Sequence, residues 1–415
     1  MSAAPVVNIG RQRQMIVRDF LQWAQTAPVA RRIEGADALA KAYLHSDLEP
    51  AMRRETETAL ASLLDDPSPL VRRRLAELFA NSHDAPHAIV SALANDQSDI
   101  AALVLSRSPL LTEVELIDCA AVSDVFGQTA IALRAHVPSG LAAALAEVGA
   151  CEASIALAVN PGADLPAFSM RRMIERFGDD AQLREALLSR PHLPAVVRSD
   201  LVDATAASLA SFVVDREWLS RERAERVVGE AREKANVVIV AEADQDSGRN
   251  GVRALVAHLR RRGRLTPSLA LRALFSGNCA LLEAALCELS GLDPQRVAGL
   301  MRDFRGPGFA ALYARAKMPA NLLPAFRAAL DAQEAFGYRG GAGGGARLSL
   351  LMVQRALTAC EELNGGELDR LLALLRRFEA EALREDARDA AAALARDNAP
   401  AIDMAALESD VLQAA

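Results

Sequence analysis

Aromatic residues are scarce in this chain. They make up only 4% of its 415 residues, although 51% of the residues are hydrophobic. Burial therefore has to come from alanine, leucine and valine. Alanine and leucine are strong helix formers, and alanine lets helices approach closely, so the composition points to an all-α fold. Lysine is nearly missing too: Lys41, Lys234 and Lys317 are the only three, and the other basic residues are arginines. This matches either codon bias or a requirement for the two-pronged guanidinium contact with carboxylates and phosphates.

Cysteine is also sparse. Cys119, Cys151, Cys279, Cys287 and Cys360 contain no CxxC spacing, which excludes a disulfide framework. Cys279 and Cys287 read as packed thiols in a helical stretch. No uncharged apolar run approaches the ~18 residues of a membrane span. The N-terminal residues lack the apolar core of a signal peptide. A soluble, reducing, cytoplasmic setting is expected. The net charge of -7 carries no basic excess, which disfavours non-specific nucleic-acid binding. A nucleophile elbow, HExxH, paired carboxylates in an apolar setting and a Cys–His neighbour pattern are all missing, so no catalytic residue is assigned. No cofactor is expected.

What the chain does have is a weak motif that returns. Leu103–Pro109 (LVLSRSP) is echoed by Ile131–Pro138 (IALRAHVP), Ile155–Pro161 (IALAVNP) and, more faintly, Leu187–Pro191 (LLSRP). Each copy is the apolar end of a short helix running into a proline. Such units, each too small to bury its own apolar face, suggest stacked helical repeats with degenerate spacing.

The pass along the chain is helical throughout. Ile16, Phe20 and Trp23 share one face, and Leu39, Ala42 and Tyr43 another. Ser68 is placed to cap a helix opened by Pro69, with Val71, Leu75, Leu78 and Phe79 as its buried stripe. Asp84 is placed to cap a helix carrying Ile89, Val90 and Leu93. Thr112 and Glu115 form a capping-box pattern, with Val114 and Ile117 expected on the apolar face. Two helices are expected around the polar stretch Asp244–Gly251, and Val237–Val240 is read as helix despite its β-branched run. Thr266-Pro267, Asn278, Asp293-Pro294, Pro307-Gly308 and Pro319 open a series of short helices. Beyond a Gly-rich stretch a helical hairpin is expected. Leu350, Leu351, Val353 and Leu357 line one arm, Asn364–Gly366 makes the turn, and Leu368, Leu371, Leu372, Leu375 and Phe378 line the other. The resulting organisation is a repeat region over 1–210, a second helical domain over 211–335, a linker over 336–346, a hairpin over 347–398 and a tail over 399–415.

Leu265–Asn278 (LTPSLALRALFSGN) and Phe304–Tyr313 (FRGPGFAALY) resemble a bacterial domain-of-unknown-function family, number 2336, with HEAT-like repeats. Asp65–Ala76 (DDPSPLVRRRLA) resembles a HEAT-like helix opening. The resemblance covers about residues 40–340. It implies a short-helix α-solenoid and carries over no catalytic residue.

Candidate contacts are arginines. Arg253, Arg260, Arg261, Arg262 and Arg264 make the densest cluster, suited to phosphate or an acidic partner, or to the dipole at a helix C-terminus. Arg171, Arg172 and Arg176 form a smaller cluster, and Arg339 and Arg347 flank the glycines. Arg72, Arg73 and Arg74 read as structural contacts between repeats. The Gly-rich stretch reads as a hinge, since no Walker or dinucleotide fingerprint accompanies it. His83 and His87 have helical ligand spacing but no third ligand. The function expected is a non-enzymatic scaffold that binds a protein partner, with a homodimer through the hairpin as a further option. The alternatives from other classes are a nucleic-acid-binding helical-repeat protein and a signalling module for a phosphorylated small ligand.

Overall fold

The computed structural model describes residues 20, 22–336, 345–361 and 369–397. Among these the regular structure is helical and no strand is present; Val137 and Ala163 make an isolated β-bridge. The chain divides into two compact units, Met1–Ser208 and Leu209–Ala415.

The first unit contains α1 (Val29–His45), α2 (Pro50–Ser62), α3 (Pro69–Phe79), α4 (His87–Ala94), α5 (Ser98–Arg107), α6 (Glu113–Val122), α7 (Val125–Ala132), α8 (Ser139–Val148), α9 (Cys151–Val159), α10 (Ala167–Phe177) and α11 (Ala181–Leu188). The division between the units falls within α12 (Ala195–Asp215). Every second helix packs side by side. One row runs α1, α3, α5, α7, α9, α11, and a second runs α6, α8, α10, with consecutive helices crossing between the rows. A single core threads this stack, from Ala36 and Leu60 through Leu75, Ile89, Ile100, Ile131 and Leu145 to Leu187 and Leu201. Alanines 36, 40, 76, 120, 132, 142, 146 and 158 are wholly buried, which is how such short helices come close without aromatic filler.

Pro69 opens α3, and Val71, Leu75 and Phe79 are buried as expected, with Leu78 half-buried. Ser68 does not cap it through its side chain. Instead its backbone N–H donates to Asp66 Oδ1, which Arg32 also holds. Asp84 does not cap α4 either. That helix begins at His87, after Pro86, whose ψ of 117° is extended. The Thr112–Glu115 capping box forms as expected. The face of α6 is turned, however: Leu116, Cys119 and Ala120 are buried while Val114 is 68% exposed.

The second unit contains α13 (Arg221–Arg261), α14 (Pro267–Phe275), α15 (Cys279–Ser290), α16 (Pro294–Arg302), α17 (Pro307–Arg315), α18 (Leu323–Phe336), α19 (Gly345–Glu361) and α20 (Asp369–Asp397). The break expected over Asp244–Gly251 narrows to one residue, Gly248, with φ 58° and ψ -157°. Only glycine adopts that backbone without strain. Val237–Val240 is helix, with Val237, Ile239 and Val240 buried. Thr266, Asn278 and Asp293 each accept a backbone N–H at a helix start. Gly306 is the N-cap of α17, and a 3-10 turn over Ala320–Leu322 separates Pro319 from α18. In the hairpin, Leu351 is exposed, and Met352, Ala356 and Cys360 take the inner places with Leu350 and Val353. Leu371, Leu375 and Phe378 face them from the other arm. α19 also packs on α18 and α14, so the hairpin is built into this unit's core. Its expected turn at Asn364–Gly366, Leu368, most of the linker and the tail beyond Asp397 lie outside the described residues.

Candidate interaction surface

The returning motif has a physical meaning in the first unit. Arg134, at the end of α7, donates from Nη1 to the Leu105 carbonyl and from Nη2 to the Ser108 carbonyl, each at 2.6 Å. Asn160, at the end of α9, donates to the Ala132 and Arg134 carbonyls at 2.8 and 2.7 Å. Arg190, at the end of α11, donates to the Ala158, Asn160 and Ala163 carbonyls at 3.0, 3.0 and 2.9 Å. In each case the polar residue of one motif copy satisfies the orphan carbonyls at the end of the copy before it. Arg134 is half-buried, and the desolvation lowers its pKa from arginine's ordinary value. Arg176 closes a similar contact on the second row, donating to the Ala146 carbonyl. Nearer the N-terminus the same job falls to ion pairs. Arg32 grips Asp66, and Arg72 grips Asp96, each through two nitrogens.

These bonds place the C-terminal ends of α5, α7, α9 and α11 side by side along one edge. The N-terminal ends of α6, α8 and α10 share it. Glu113 of α6 accepts the Leu141 N–H of α8, and Val137, just before α8, pairs with the loop that leads into α10. The edge is apolar. Leu133, Val159 and Leu188 are 60%, 61% and 59% exposed. Phe168 and Val114, in the first turns of α10 and α6, are exposed too, as are the motif prolines Pro109, Pro161 and Pro191. A groove of about 260 Å³ between α8 and α10 has Phe168 in its lining.

The arginines singled out in the sequence are largely engaged by the protein itself. Arg171 donates to the buried Asp200 at 2.9 Å, and Arg172 grips Glu147 at 2.7 and 2.9 Å; both line the α8–α10 groove. Arg260 donates to the Glu288 carbonyl and carboxylate at 2.7 and 3.0 Å, tying α13 to α15. Arg261 reaches back to the Ala257 carbonyl of its own helix, and Arg262 and Arg264 are also engaged. All four sit at or just past the C-terminus of α13, where a positive charge meets the helix dipole. Arg253 is exposed on α13 against Glu283 and Cys287 of α15. Arg347 is exposed at the start of α19, and Arg339 lies outside the described residues. His87 faces Glu115 at 3.2 Å, and no group of three metal-ligating side chains occurs among the described residues. Burial pushes the Cys279 and Cys360 thiols up to about 11, as packed thiols require.

Two features escaped sequence reasoning. The apolar edge could have been suspected, because Leu133, Val159 and Leu188 stand at helix ends inside the motif copies. The other is a buried charge cluster around Arg272 in the second unit; Glu233 and Glu381 join it from distant parts of the chain, and nothing local announces them.

Residues 100–364 match the family described as an uncharacterised protein conserved in bacteria, DUF2336. The chain belongs to that family. No curated protein and no solved structure matches it. The DUF2336 match contains the whole carbonyl ladder from Leu105 to Arg190 and all of the capped helices α14–α17. The ion-paired helices α1–α4, with the Asp65–Ala76 opening, lie outside it.

Proposed function

We propose that this chain is a non-enzymatic, cytoplasmic adaptor whose first unit holds a protein partner along the Leu133–Val159–Leu188 edge. One observation carries the reading: a line of large exposed apolar side chains set on a stack whose own cores are complete. Apolar patches of this kind are the mark of interaction sites. The spacing names the shape of the partner. Packed helices lie about 8–10 Å apart, and seven residues of α-helix rise about 10.5 Å. An amphipathic helix laid across the edge would therefore set an apolar residue at i, i+7 and i+14 over Leu133, Val159 and Leu188. The engagement of Arg171, Arg172 and Arg176 inside the unit argues for apolar rather than phosphate recognition there. No helix among the described residues is long and apolar enough to cross a membrane, and all five cysteines are unpaired, which accords with a reducing compartment.

The test is affinity purification of the tagged full chain at native level, read by mass spectrometry. It runs beside a Leu133→Asp, Val159→Asp, Leu188→Asp triple variant. The expected result is one specific partner with the parent and none with the variant. The thermal midpoint should fall only slightly, since each aspartate is exposed and meets the dipole of a helix C-terminus at a cost of about 0.3–1 kcal/mol. A partner retained by the variant, or bait alone from the parent, overturns the proposal.

A further inference from the structure

The first unit has a second edge, opposite the motif copies, where the C-terminal ends of α6, α8 and α10 meet the N-terminal ends of α7, α9 and α11. Gln128 of α7 donates to the Ala120 carbonyl of α6 at 3.0 Å and accepts the Ala150 N–H, just before α9, at 2.9 Å. Arg176 of α10 donates to the Ala146 carbonyl of α8 at 2.9 Å. These bonds gather the α6–α7, α8–α9 and α10–α11 turns. Val122 and Phe126 stand on them 77% and 57% exposed, and Val125 and Val148 are exposed as well.

The rim of this apolar patch is acidic. Residues 118–126, 147–152 and 175–182 hold seven acidic residues against one basic residue, Arg176. Helix starts account for three of the acids. Asp124 and Asp180 cap α7 and α11, and Glu152 lies in the first turn of α9. They do not account for Asp118 and Glu147. Those stand near the C-terminal ends of α6 and α8, where a negative charge opposes the helix dipole and neither last turn holds a basic residue. Arg172 answers Glu147 but is shared with Glu175. Asp118, Glu152 and Asp179 make no ion pair among the described residues. The negative field reaches across the turns: burial, and after it the charges of Asp180, Glu152 and Asp179, push the Cys151 thiol up.

We infer that this edge is a second docking surface and that its partner is a basic amphipathic helix. Apolar side chains of that helix cover Val122, Val125, Phe126 and Val148, and its arginines or lysines meet the acidic rim. Charge complementarity of this kind selects partners and speeds their encounter. The helical form follows from the backbone of the unit. No strand occurs among the described residues, so an extended partner has no sheet edge to join, whereas an amphipathic helix satisfies its own backbone and needs only a face. The surface is separate from Leu133, Val159 and Leu188, so it stands whether or not their edge is occupied.

The experiment pans a phage-displayed library of random peptides, ~16 residues or about four helical turns long, on the immobilised full chain. Peptides lost on the Leu133→Asp, Val159→Asp, Leu188→Asp variant belong to the other edge and are set aside. The best of the rest is synthesised with a fluorophore, and its binding is read by anisotropy at about 50 and 300 mM salt. The expected winners are rich in Lys and Arg, with apolar residues at helical spacing. Val122→Ser with Phe126→Ser should weaken the winner about tenfold or more. Asp118→Asn with Glu147→Gln should weaken it at low salt and flatten its salt dependence. Thermal midpoints close to that of the parent certify both variants, whose altered side chains are exposed. Winners no more basic than the starting library overturn the inference. So do winners that bind the Val122→Ser, Phe126→Ser variant as tightly as the parent, and so does a library that yields none.

Discussion

Asn160 illustrates how much one side chain settles here. Its amide nitrogen serves the Ala132 and Arg134 carbonyls, and its Oδ1 accepts the Gly162 N–H at 2.8 Å, so both ends of the amide are used. Asn160→Asp keeps the shape and removes the donor. A carboxylate would then face two carbonyls it cannot satisfy. The expected cost is about 3 kcal/mol at neutral pH, from two lost bonds and the stranded acceptors. Because that carboxylate is disfavoured in the folded state, its folded pKa lies above its unfolded value. The deficit therefore shrinks as pH falls through the folded value. Urea denaturation at pH 7 and at acid pH checks both points, and a variant as stable as the parent would refute the ladder. Arg172→Ala, which removes only exposed ion pairs, with Glu147 and Glu175, should leave the midpoint where it is. The ladder was half legible. The motif showed in the sequence because leucines and prolines recur, but the acceptors did not, since they are backbone carbonyls and every residue has one.

Local chemistry decides which helix starts could be read correctly. The Thr112–Glu115 box was readable because both partners lie within one turn. Thr112 N and Oγ1 donate to Glu115 Oε2 at 2.9 and 2.8 Å, and the Glu115 N–H donates back to Oγ1 at 3.3 Å. Ser68 and Asp84 looked equally suitable and do not cap. At Ser68 the turn is organised by Asp66, whose carboxylate is fixed by Arg32 from 34 residues away, and no local pattern contains that information. Val114 was misplaced for a related reason. A short helix has several apolar positions, and only its neighbours decide that Leu116, Cys119 and Ala120 face inward. Thr112→Ala should cost about 1 kcal/mol at neutral pH. The hydrogen bonds from Thr112, followed by His87, hold the Glu115 carboxyl below the usual carboxylate range. A depressed pKa contributes stability above the unfolded value, about 4.3, and loses it as pH falls through the folded value. The gap between parent and variant should therefore narrow in acid. Denaturant midpoints measured at pH 7 and pH 3 test this, and a gap that stays the same size at both would remove Glu115 from the account.

At the scale of the whole chain, the family match and the folding units divide the protein differently. The match begins at residue 100, inside α5, and ends at residue 364, beyond α19, so it runs through both units. The cores respect the units. The apolar cluster of the first runs from Ala36 to Leu201, while Phe309, Tyr313 and Phe326 pack ring against ring in the second at 5.4 to 6.3 Å. All-helical character was legible from alanine and leucine content. The hairpin's place inside the second unit was not, because the contacts that fix it, such as Phe275 with Phe378 at 5.9 Å, join residues far apart in the chain. Separate cores should melt separately. Calorimetry of the full chain is expected to resolve two transitions. Leu93→Ala, in the first core, should lower one by the equivalent of about 2–5 kcal/mol. Phe326→Ala should lower the other by about 3–5 kcal/mol. Each should leave its counterpart in place, and a single transition shifted by both substitutions would mean the two cores fold as one.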